Sequence, residues 1–297
     1  MIDLLRNRLC AVTTWLACLL LLPGGATAEE VGLTFFGWSD QHVKTNGDVS
    51  HLVAAIDAMN ELPGTHFPKA IGQQVGRPAF VFGCGDVTEW PTHAAVRGYS
   101  KVITERLKFP CYDIMGNHDD GGKVASDTMK KWIIKRHGGL SYTFDQGGVH
   151  FISLFSQFDP NAKPAQPLTS ESLAFLRRQL AKTPAGTPVV VATHLCFDAI
   201  TNRDKLIDTF GKANVILVLG GHYHKATVHR YRGFHFVQFP SPRDQTEVTV
   251  LRISPDRLVA IPYDHARKQW TDNRGKILDV KIRGPGKWPR WDSTECE

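Results

Sequence analysis

In the first part of the chain, short apolar runs alternate with stretches whose apolar residues recur at helical spacing. Residues 31–36, 79–82 and 111–115 are apolar or aromatic with little polar interruption, as expected of buried strands. Residues 48–61 and 92–107 place their apolar side chains on one stripe, and the second stretch opens with a threonine that can cap a helix. This β-α-β-α-β order predicts parallel strands with helices packed on the outside.

The second part of the chain contains more predicted strands than one sheet would hold. Residues 140–144 and 150–155 flank Asp145-Gln146-Gly147-Gly148, a sequence that predicts a hairpin turn. Residues 170–180 predict an amphipathic helix opened by Thr169 or Ser170. The strands predicted after this helix lie at residues 188–193, 215–219, 226–229, 234–239, 247–253 and 258–263. So many strands favour two sheets.

Three segments show neither the pattern of a helix nor that of a strand. Residues 62–77 and 159–168 predict long loops, and residues 284–297 predict an irregular tail. Because unusually long loops in compact domains are often functional, we expect the two internal loops to influence substrate choice.

The N-terminus has the features of a secretory signal peptide. Arg6 and Arg8 precede the apolar run 9–22, and Ala26-Thr27-Ala28 provides a small-residue cleavage site. The alternative, an uncleaved anchor, is disfavoured because a spanning helix needs roughly 20 apolar residues. We therefore predict removal of residues 1–28, export to the periplasm or medium, and a catalytic domain over residues 29–297. After cleavage no stretch is long and apolar enough for stable membrane insertion.

Charge and cysteine content narrow the function classes. The full chain of 297 residues has a net charge of +6, and the leader removes two arginines and one aspartate, which leaves +5. This modest basic balance favours anionic substrates, and because the basic residues form no run we expect no nucleic-acid partner. Four cysteines outside the leader are too few for a disulfide scaffold. Cys84 and Cys111 are expected as buried thiols, with a disulfide as the alternative.

Polar side chains typical of metal ligands follow five of the predicted strands. Asp40-Gln41-His42 and Gly221-His222-Tyr223-His224 each offer two candidate ligands at positions i and i+2. On an extended chain such positions project to the same side, so each pair could reach one cation. The other motifs are Gly85-Asp86-Val87-Thr88-Glu89, Gly116-Asn117-His118-Asp119 and, directly after a strand, His194.

The order and spacing of these motifs resemble the calcineurin-like metallophosphoesterase superfamily over residues 33–224. The resemblance implies a four-layer α/β/β/α sandwich, in which two mixed β-sheets face each other and a dinuclear metal centre lies at the strand ends. It implies that one ion is bound by Asp40, His42 and His224. It implies that the other is bound by Asn117, His194 and His222, and that Asp86 bridges the two.

The chemistry of these ligands agrees with the resemblance. Oxygen and nitrogen ligands without a thiolate suit manganese, iron or zinc ions. Two such ions ~4 Å apart can hold a hydroxide between them and bind phosphoryl oxygens. The resemblance therefore implies a small phosphorylated substrate, a phosphate monoester or diester, that is hydrolysed by this hydroxide. It also implies that His118 faces the substrate, where it would act as general acid for the leaving oxygen.

Glu89 departs from the family pattern, which often has Asp at this position, oriented toward the His of the third motif. With its longer side chain, Glu89 could orient His118, which is the role we expect, or turn outward toward the substrate. Asp119 is expected to steady the turn of the third motif.

Two other classes of function must be weighed. A nuclease or nucleotide hydrolase could use the same fold, although a nuclease would be expected to show clustered basic and aromatic residues. A non-catalytic interaction module on this fold usually lacks some ligands, and here none of the expected ligands is missing. The sequence therefore favours an enzyme.

Overall fold

The computed structural model describes residues 32–121, 126–159 and 161–281. The predicted signal peptide (residues 1–28) and irregular tail (residues 284–297) lie outside these ranges. Within them, no helix has the length and apolar character that a membrane span requires.

The helices and strands alternate in the first half, and strands dominate the second half. The α-helices of the described residues are α1 Val53–Glu61, α2 His93–Glu105, α3 Thr128–His137, α4 Ser170–Lys182 and α5 Arg203–Phe210. The strands are β1 Leu33–Trp38, β2 Val81–Gly83, β3 Cys111–Asp113, β4 Tyr142–Gln146, β5 Val149–Leu154, β6 Val189–Leu195, β7 Val215–Gly221, β8 Thr227–Tyr231, β9 Phe234–Gln238, β10 Glu247–Ile253, β11 Arg257–Asp264, β12 Gln269–Trp270 and β13 Leu278–Lys281. Short 3-10 turns lie at Ser50–Leu52, Phe197–Ala199 and Arg274–Lys276.

The first sheet has the strand order β12-β11-β10-β1-β2-β3, and β13 pairs with β11. Strands β1, β2 and β3 are parallel, as the β-α-β-α-β pattern predicted. Strand β10 adds to β1 in the antiparallel direction and makes the sheet mixed. The carboxyl ends of β1, β2 and β3 therefore meet at one edge.

The second sheet has the order β4-β5-β6-β7-β9-β8. Strands β5, β6, β7 and β9 are parallel, and β4 and β8 form antiparallel edges. The predicted hairpin joins β4 to β5 through a two-residue turn, because Gln146 already pairs with Val149. Gly147 and Gly148 have φ values of 57° and 78°, and two successive positive φ angles are the geometry of a tight type I′ turn.

Alternating side chains of the strands build the layers. In β1, Phe35 points to the core between the sheets, where its ring contacts Phe151 of the second sheet at a centroid distance of 5.6 Å. Its neighbour Phe36 points the other way and packs with α1, α2 and α3. Helices α4 and α5 cover the outer face of the second sheet. The predicted four-layer α/β/β/α sandwich with two facing mixed sheets is confirmed.

Several boundaries and small elements differ from the sequence-based expectation. Strand β6 continues to Leu195, so His194 lies within the strand and not directly after it. Helices α3 and α5 and strands β12 and β13 were not predicted. Helix α3 buries only Met129 and Ile133, so its apolar stripe is weak, and Gly138 ends it with a φ of 81°.

Candidate metal centre

The five motifs meet where the parallel strands of both sheets end. The backbone amide of His222 donates to Asp40 Oδ2 at 2.9 Å, which joins the second sheet to the first. The amide of His118 donates to Asp86 Oδ1 at 2.8 Å. His194 Nε2 lies 3.3 Å from Asp86 Oδ2. Residues more than 100 positions apart in sequence are thus brought into contact.

The prediction of an extended backbone at Asp40-Gln41-His42 and at His222-Tyr223-His224 is wrong. Asp40 and His42 have φ values of 55° and 45°, and His222 and His224 have 81° and 60°. Such left-handed conformations cost non-glycine residues energy and cluster at functional sites. In the first motif they are held by backbone hydrogen bonds, from Asp40 to Gly85 at 2.8 Å and from His42 to Asp86 at 2.9 Å.

Asp40, His42 and His224 form a first group of candidate ligands, with one ligand atom of each within 4.8 Å of the others. Asp40 Oδ1 lies 3.5 Å from His224 Nε2 and 4.0 Å from His42 Nε2. This oxygen is buried and accepts no hydrogen bond. An unpaired buried carboxylate oxygen is costly unless a cation occupies the space that it faces.

The protonation of the two histidines leads to the same conclusion. His42 Nδ1 lies 3.1 Å from Glu89 Oε2, and His224 Nδ1 contacts Asp244 Oδ2. Because carboxylates only accept hydrogen bonds, Nδ1 of His224 carries the proton and its Nε2 presents a lone pair. Nδ1 of His42 makes no hydrogen bond, but the negative charge of Glu89 beside it favours the same tautomer. These two Nε2 atoms are 3.2 Å apart. Facing lone pairs repel each other unless a cation lies between them, so the donor set fits a metal ion.

Asn117, His194 and His222 form a second group. Asn117 Oδ1 lies 3.1 Å from His194 Nε2 and 3.0 Å from His222 Nδ1, and the two nitrogens are 3.2 Å apart. His194 Nδ1 donates to the carbonyl of Cys84 at 2.7 Å, which leaves Nε2 of the neutral ring free for a ligand. These atoms also fit a metal ion.

Asp86 lies between the two groups. Its Oδ2 atom is 3.3 Å from His194 Nε2 and 3.9 Å from His42 Nε2. The other oxygen is held by the amide of His118. One carboxylate oxygen therefore faces ligands of both groups, as a bridging ligand must.

Burial keeps two of the candidate histidine ligands neutral. It lowers the pKa of His42 to about 3 and that of His222 to about 4. For His194, burial also disfavours the charged form, but Asp86 outweighs it and raises the pKa to about 9. Burial raises the pKa of Asp40 to about 6. Without metal, a proton on His194 thus balances part of the negative charge.

His118 lies beside these groups, and its position corrects the role expected of Glu89. His118 Nδ1 contacts the backbone carbonyl of Glu89 at 2.9 Å, not the carboxylate. The carboxylate of Glu89 turns to His42. The His118 ring stacks on Trp90 with 4.8 Å between centroids. His118 also falls within ligand distance of His42 and Asp86, so geometry allows it either to bind metal or to face the substrate.

Asp119 ties the second motif to the third, as expected. Its Oδ1 accepts the amide and hydroxyl of Thr88, both at 2.8 Å. Its Oδ2 accepts the amides of Val87 and Gly116, both at 3.0 Å. One buried side chain therefore holds the two turns that carry Asp86 and Asn117.

Comparison with known proteins places the chain in a family. Residues 39–226 match the family model of the calcineurin-like phosphoesterases. The chain belongs to this family. The match includes every candidate ligand and His118, and the family binds two metal ions.

Curated relatives of this calcineurin-like phosphoesterase are serine/threonine-protein phosphatases named CPPED1. The protein from Homo sapiens is 28% identical over 195 residues, and that from Bos taurus is 30% identical over 194 residues. Each match covers 57% of this chain and 60% of the relative. The chain thus matches about three fifths of the length of these relatives.

Solved structures share the fold of this calcineurin-like phosphoesterase at low sequence identity. A dimetal phosphatase from Danio rerio aligns with a TM-score of 0.56 and 12% identity over 87% of this chain and 99% of its own. GAP50, described as the anchor in the inner membrane complex of Plasmodium, aligns with a TM-score of 0.55 and 16% identity over 89% and 92%. At these identities the likeness concerns the fold alone.

A cleft of about 450 Å³ opens beside the second ligand group of this calcineurin-like phosphoesterase. Asn117, His118 and His222 line it together with Asp159 and Gln166 of the loop 159–168. Trp90, Phe158 and Tyr223 contribute aromatic rings to the lining. The loop 159–168 thus borders the cleft, whereas the loop 62–77 contributes no described lining residue.

Arg243 and Asp244 were missed by the sequence analysis. They follow β9 at the same edge and belong to no motif of the resemblance. Asp244 contacts the Nδ1 atom of His224, and Arg243 Nη1 donates to Glu89 Oε2 at 2.9 Å. The signal that could have found them is their position after a strand that ends beside the ligands.

Proposed function

We propose that this calcineurin-like phosphoesterase hydrolyses the phosphate ester of a small molecule, either a monoester or a diester. The observation that carries the proposal is the two groups of candidate ligand atoms that converge on Asp86 beside an open cleft. The first ion would be held by Asp40, His42 and His224. The second would be held by Asn117, His194 and His222, with Asp86 shared.

When bound, the two ions supply Lewis acidity, which lowers the pKa of a water molecule and balances charge on the phosphoryl oxygens. The protein residues hold the ligand set rigid and position a proton. In the ring tautomer that donates from Nδ1 to the Glu89 carbonyl, Nε2 of His118 is the atom that can carry a second proton. From there it can protonate the leaving oxygen.

The cleft supports a small substrate. Its volume of about 450 Å³ lies within the range of small-molecule sites. The three aromatic rings could stack on a flat leaving group, and this observation favours a nucleotide as the second candidate substrate. The relatives named as protein phosphatases make a phosphoserine peptide a third compound to test.

A substrate panel tests the proposal. The purified protein, loaded with manganese, iron or zinc, would be assayed with a nitrophenyl phosphate, an alkyl phosphate, a diester, a nucleotide and a phosphoserine peptide. We expect hydrolysis of at least one ester and its loss on chelation. A protein with two bound ions that cleaves none of these compounds would contradict the proposal.

The role of His118 requires a separate variant. His118→Asn should leave metal content unchanged and slow the reaction by roughly a hundred- to ten-thousandfold for alkyl esters. The loss should be smaller for nitrophenyl esters, because their leaving group needs little protonation. His150→Asn is a control, since His150 pairs with Asp145 beside the β4–β5 turn. Loss of metal from His118→Asn would instead make His118 a ligand.

We also propose that the protein is exported after removal of residues 1–28. The arginines, the apolar run and the small-residue site support this. Mass spectrometry of protein secreted by its host should find Glu29 at the N-terminus. Retention of the leader in the purified protein would overturn the proposal.

A further inference from the structure

Arg243 joins two carboxylates at the rim of the metal centre. Its Nη1 donates to Glu89 Oε2 at 2.9 Å. Its Nε donates to Asp244 Oδ1 at 3.1 Å, and its Nη2 donates to Asp244 Oδ2 at 3.3 Å. The guanidinium group therefore holds carboxylates that are 155 positions apart in the sequence.

Both carboxylates contact ligands of the same candidate ion. Glu89 Oε2 lies 3.1 Å from Nδ1 of His42, and Asp244 Oδ2 contacts Nδ1 of His224. A carboxylate beside the far nitrogen of a ligating histidine favours one tautomer and raises the basicity of the other nitrogen. Asp244 does so through a hydrogen bond to His224, and Glu89 does so through its charge, since Nδ1 of His42 lies outside hydrogen-bond geometry. Neither carboxylate contacts a ligand of the second group in the described structure. The influence of Arg243 is thus directed to one ion.

We infer that Arg243 is a positioning residue, which holds Glu89 and Asp244 on His42 and His224 and thereby sets the affinity for the ion bound with Asp40. The inference rests on the metal binding that the proposed function requires. It goes further because it predicts that the affinity for one ion depends on Arg243 and that the affinity for the other does not.

Two opposing effects determine whether substitution of Arg243 strengthens or weakens metal binding. Removing the guanidinium group removes a positive charge that repels the ion, which would tighten binding. It also releases two carboxylates whose side chains are 35% and 39% exposed, and these can then rotate into water. Loss of such outer contacts typically costs 10- to 100-fold in metal affinity. The repulsion is weakened because Arg243 is 37% exposed and already paired with both carboxylates, so we expect weaker binding.

Arg243 is also a poor candidate for a direct substrate contact. All three of its nitrogens donate to carboxylates, and a phosphate would have to compete with these charge-assisted bonds. Substitution should therefore change metal affinity before any substrate is added.

Metal titration of the metal-free protein tests the inference. With Mn²⁺ followed by calorimetry, Arg243→Gln should weaken one of two binding events by roughly 10- to 100-fold and leave the other unchanged. Arg232→Gln is a matched control, because Arg232 also bridges two aspartates, Asp204 and Asp208, at 46% exposure. It should bind both ions as the wild type does.

Double variants identify the affected ion. In an Asp40→Ala background the first site is already impaired, so Arg243→Gln should add little. In a His222→Asn background, which impairs the second site, Arg243→Gln should weaken the remaining event by the full factor. Arg243→Lys keeps the charge but cannot span both carboxylates, so it should weaken binding like Arg243→Gln.

Unchanged or tighter Mn²⁺ binding by Arg243→Gln would overturn the inference, and so would an equal loss at both sites. Wild-type affinity in Arg243→Lys would show that charge alone matters and would also overturn it. These outcomes are independent of hydrolysis. A wild-type protein that binds two ions but cleaves no ester would contradict the proposed function and leave this inference standing.

Discussion

Gly85, in the second motif, allows a test in which a single added methyl group displaces a proposed metal ligand, His194. A Cβ atom at Gly85 would lie 2.6 Å from His194 Nδ1 and 2.8 Å from the backbone nitrogen of Gly116. Ordinary contacts begin at 3.4 Å, so the imidazole would have to move by about 0.8 Å. Metal–ligand distances tolerate only about 0.2 Å. If His194 binds an ion as proposed, Gly85→Ala should therefore lose that ion.

The stability change can be separated into two parts by a matched control. Gly85 has a φ of 92° and Gly64 a φ of 85°, but nothing lies within 4 Å of a Cβ atom at Gly64. Both substitutions incur the left-handed backbone cost of roughly 1–2 kcal/mol. Only Gly85→Ala adds the steric cost of overpacking, about 1–3 kcal/mol. We expect a total loss of about 2–5 kcal/mol for Gly85→Ala and about 1–2 kcal/mol for Gly64→Ala.

Urea unfolding of the metal-free variants gives the free energies, and elemental analysis gives the metal content. Gly64→Ala should keep both ions. If Gly85→Ala matches Gly64→Ala in stability and also retains both ions, the close approach of Gly85 to His194 is wrong.

Two further predictions follow from the pKa of His194 and from the cap of α2. The pKa of His194 is raised to about 9 without metal, so metal binding at pH 7 should release about one proton. The affinity for the metal ion should then rise about tenfold per pH unit up to pH 9. Calorimetry in buffers of different ionisation enthalpy measures the proton release, and its absence would contradict the prediction. Thr92 Oγ1 accepts a hydrogen bond from the amide of Ala95 at 3.0 Å, so Thr92→Ala should lower the free energy of unfolding in urea by about 1 kcal/mol. Thr104 is exposed and caps no helix, so Thr104→Ala should have almost no effect.

Patterns that depend on near neighbours in sequence were predicted well. The buried strand β1 was predicted from its continuous apolar run, and the Thr92 cap was predicted because such a cap bonds an amide only three residues away. Helix α5 and strand β12 were missed because they are short, with eight and two residues. In such elements tertiary contacts decide the conformation, and a single sequence does not display them.

The candidate site was predicted through its motifs, but part of the reasoning was wrong. Asp40 and His42 do reach a common point, yet positive φ angles bring them together and not an extended chain. The partner of the Glu89 carboxylate could not be foreseen, because Arg243 is 154 positions away. Glu89 and His118 are linked through a backbone carbonyl, which no side-chain pattern indicates.

The shared position of Asp86 is the central feature of the proposed centre. Its Oδ2 atom lies 3.3 Å from His194 Nε2 and 3.9 Å from His42 Nε2, so removal of this carboxylate should impair both sites. Asp40→Ala is the comparison, because Asp40 contacts only the first group through its free oxygen.

Elemental analysis of purified Asp86→Ala tests this most directly. We expect the wild type to approach two ions per chain, Asp40→Ala to lose mainly one, and Asp86→Ala to lose both. Full occupancy of both sites in folded Asp86→Ala would contradict a centre built around this residue.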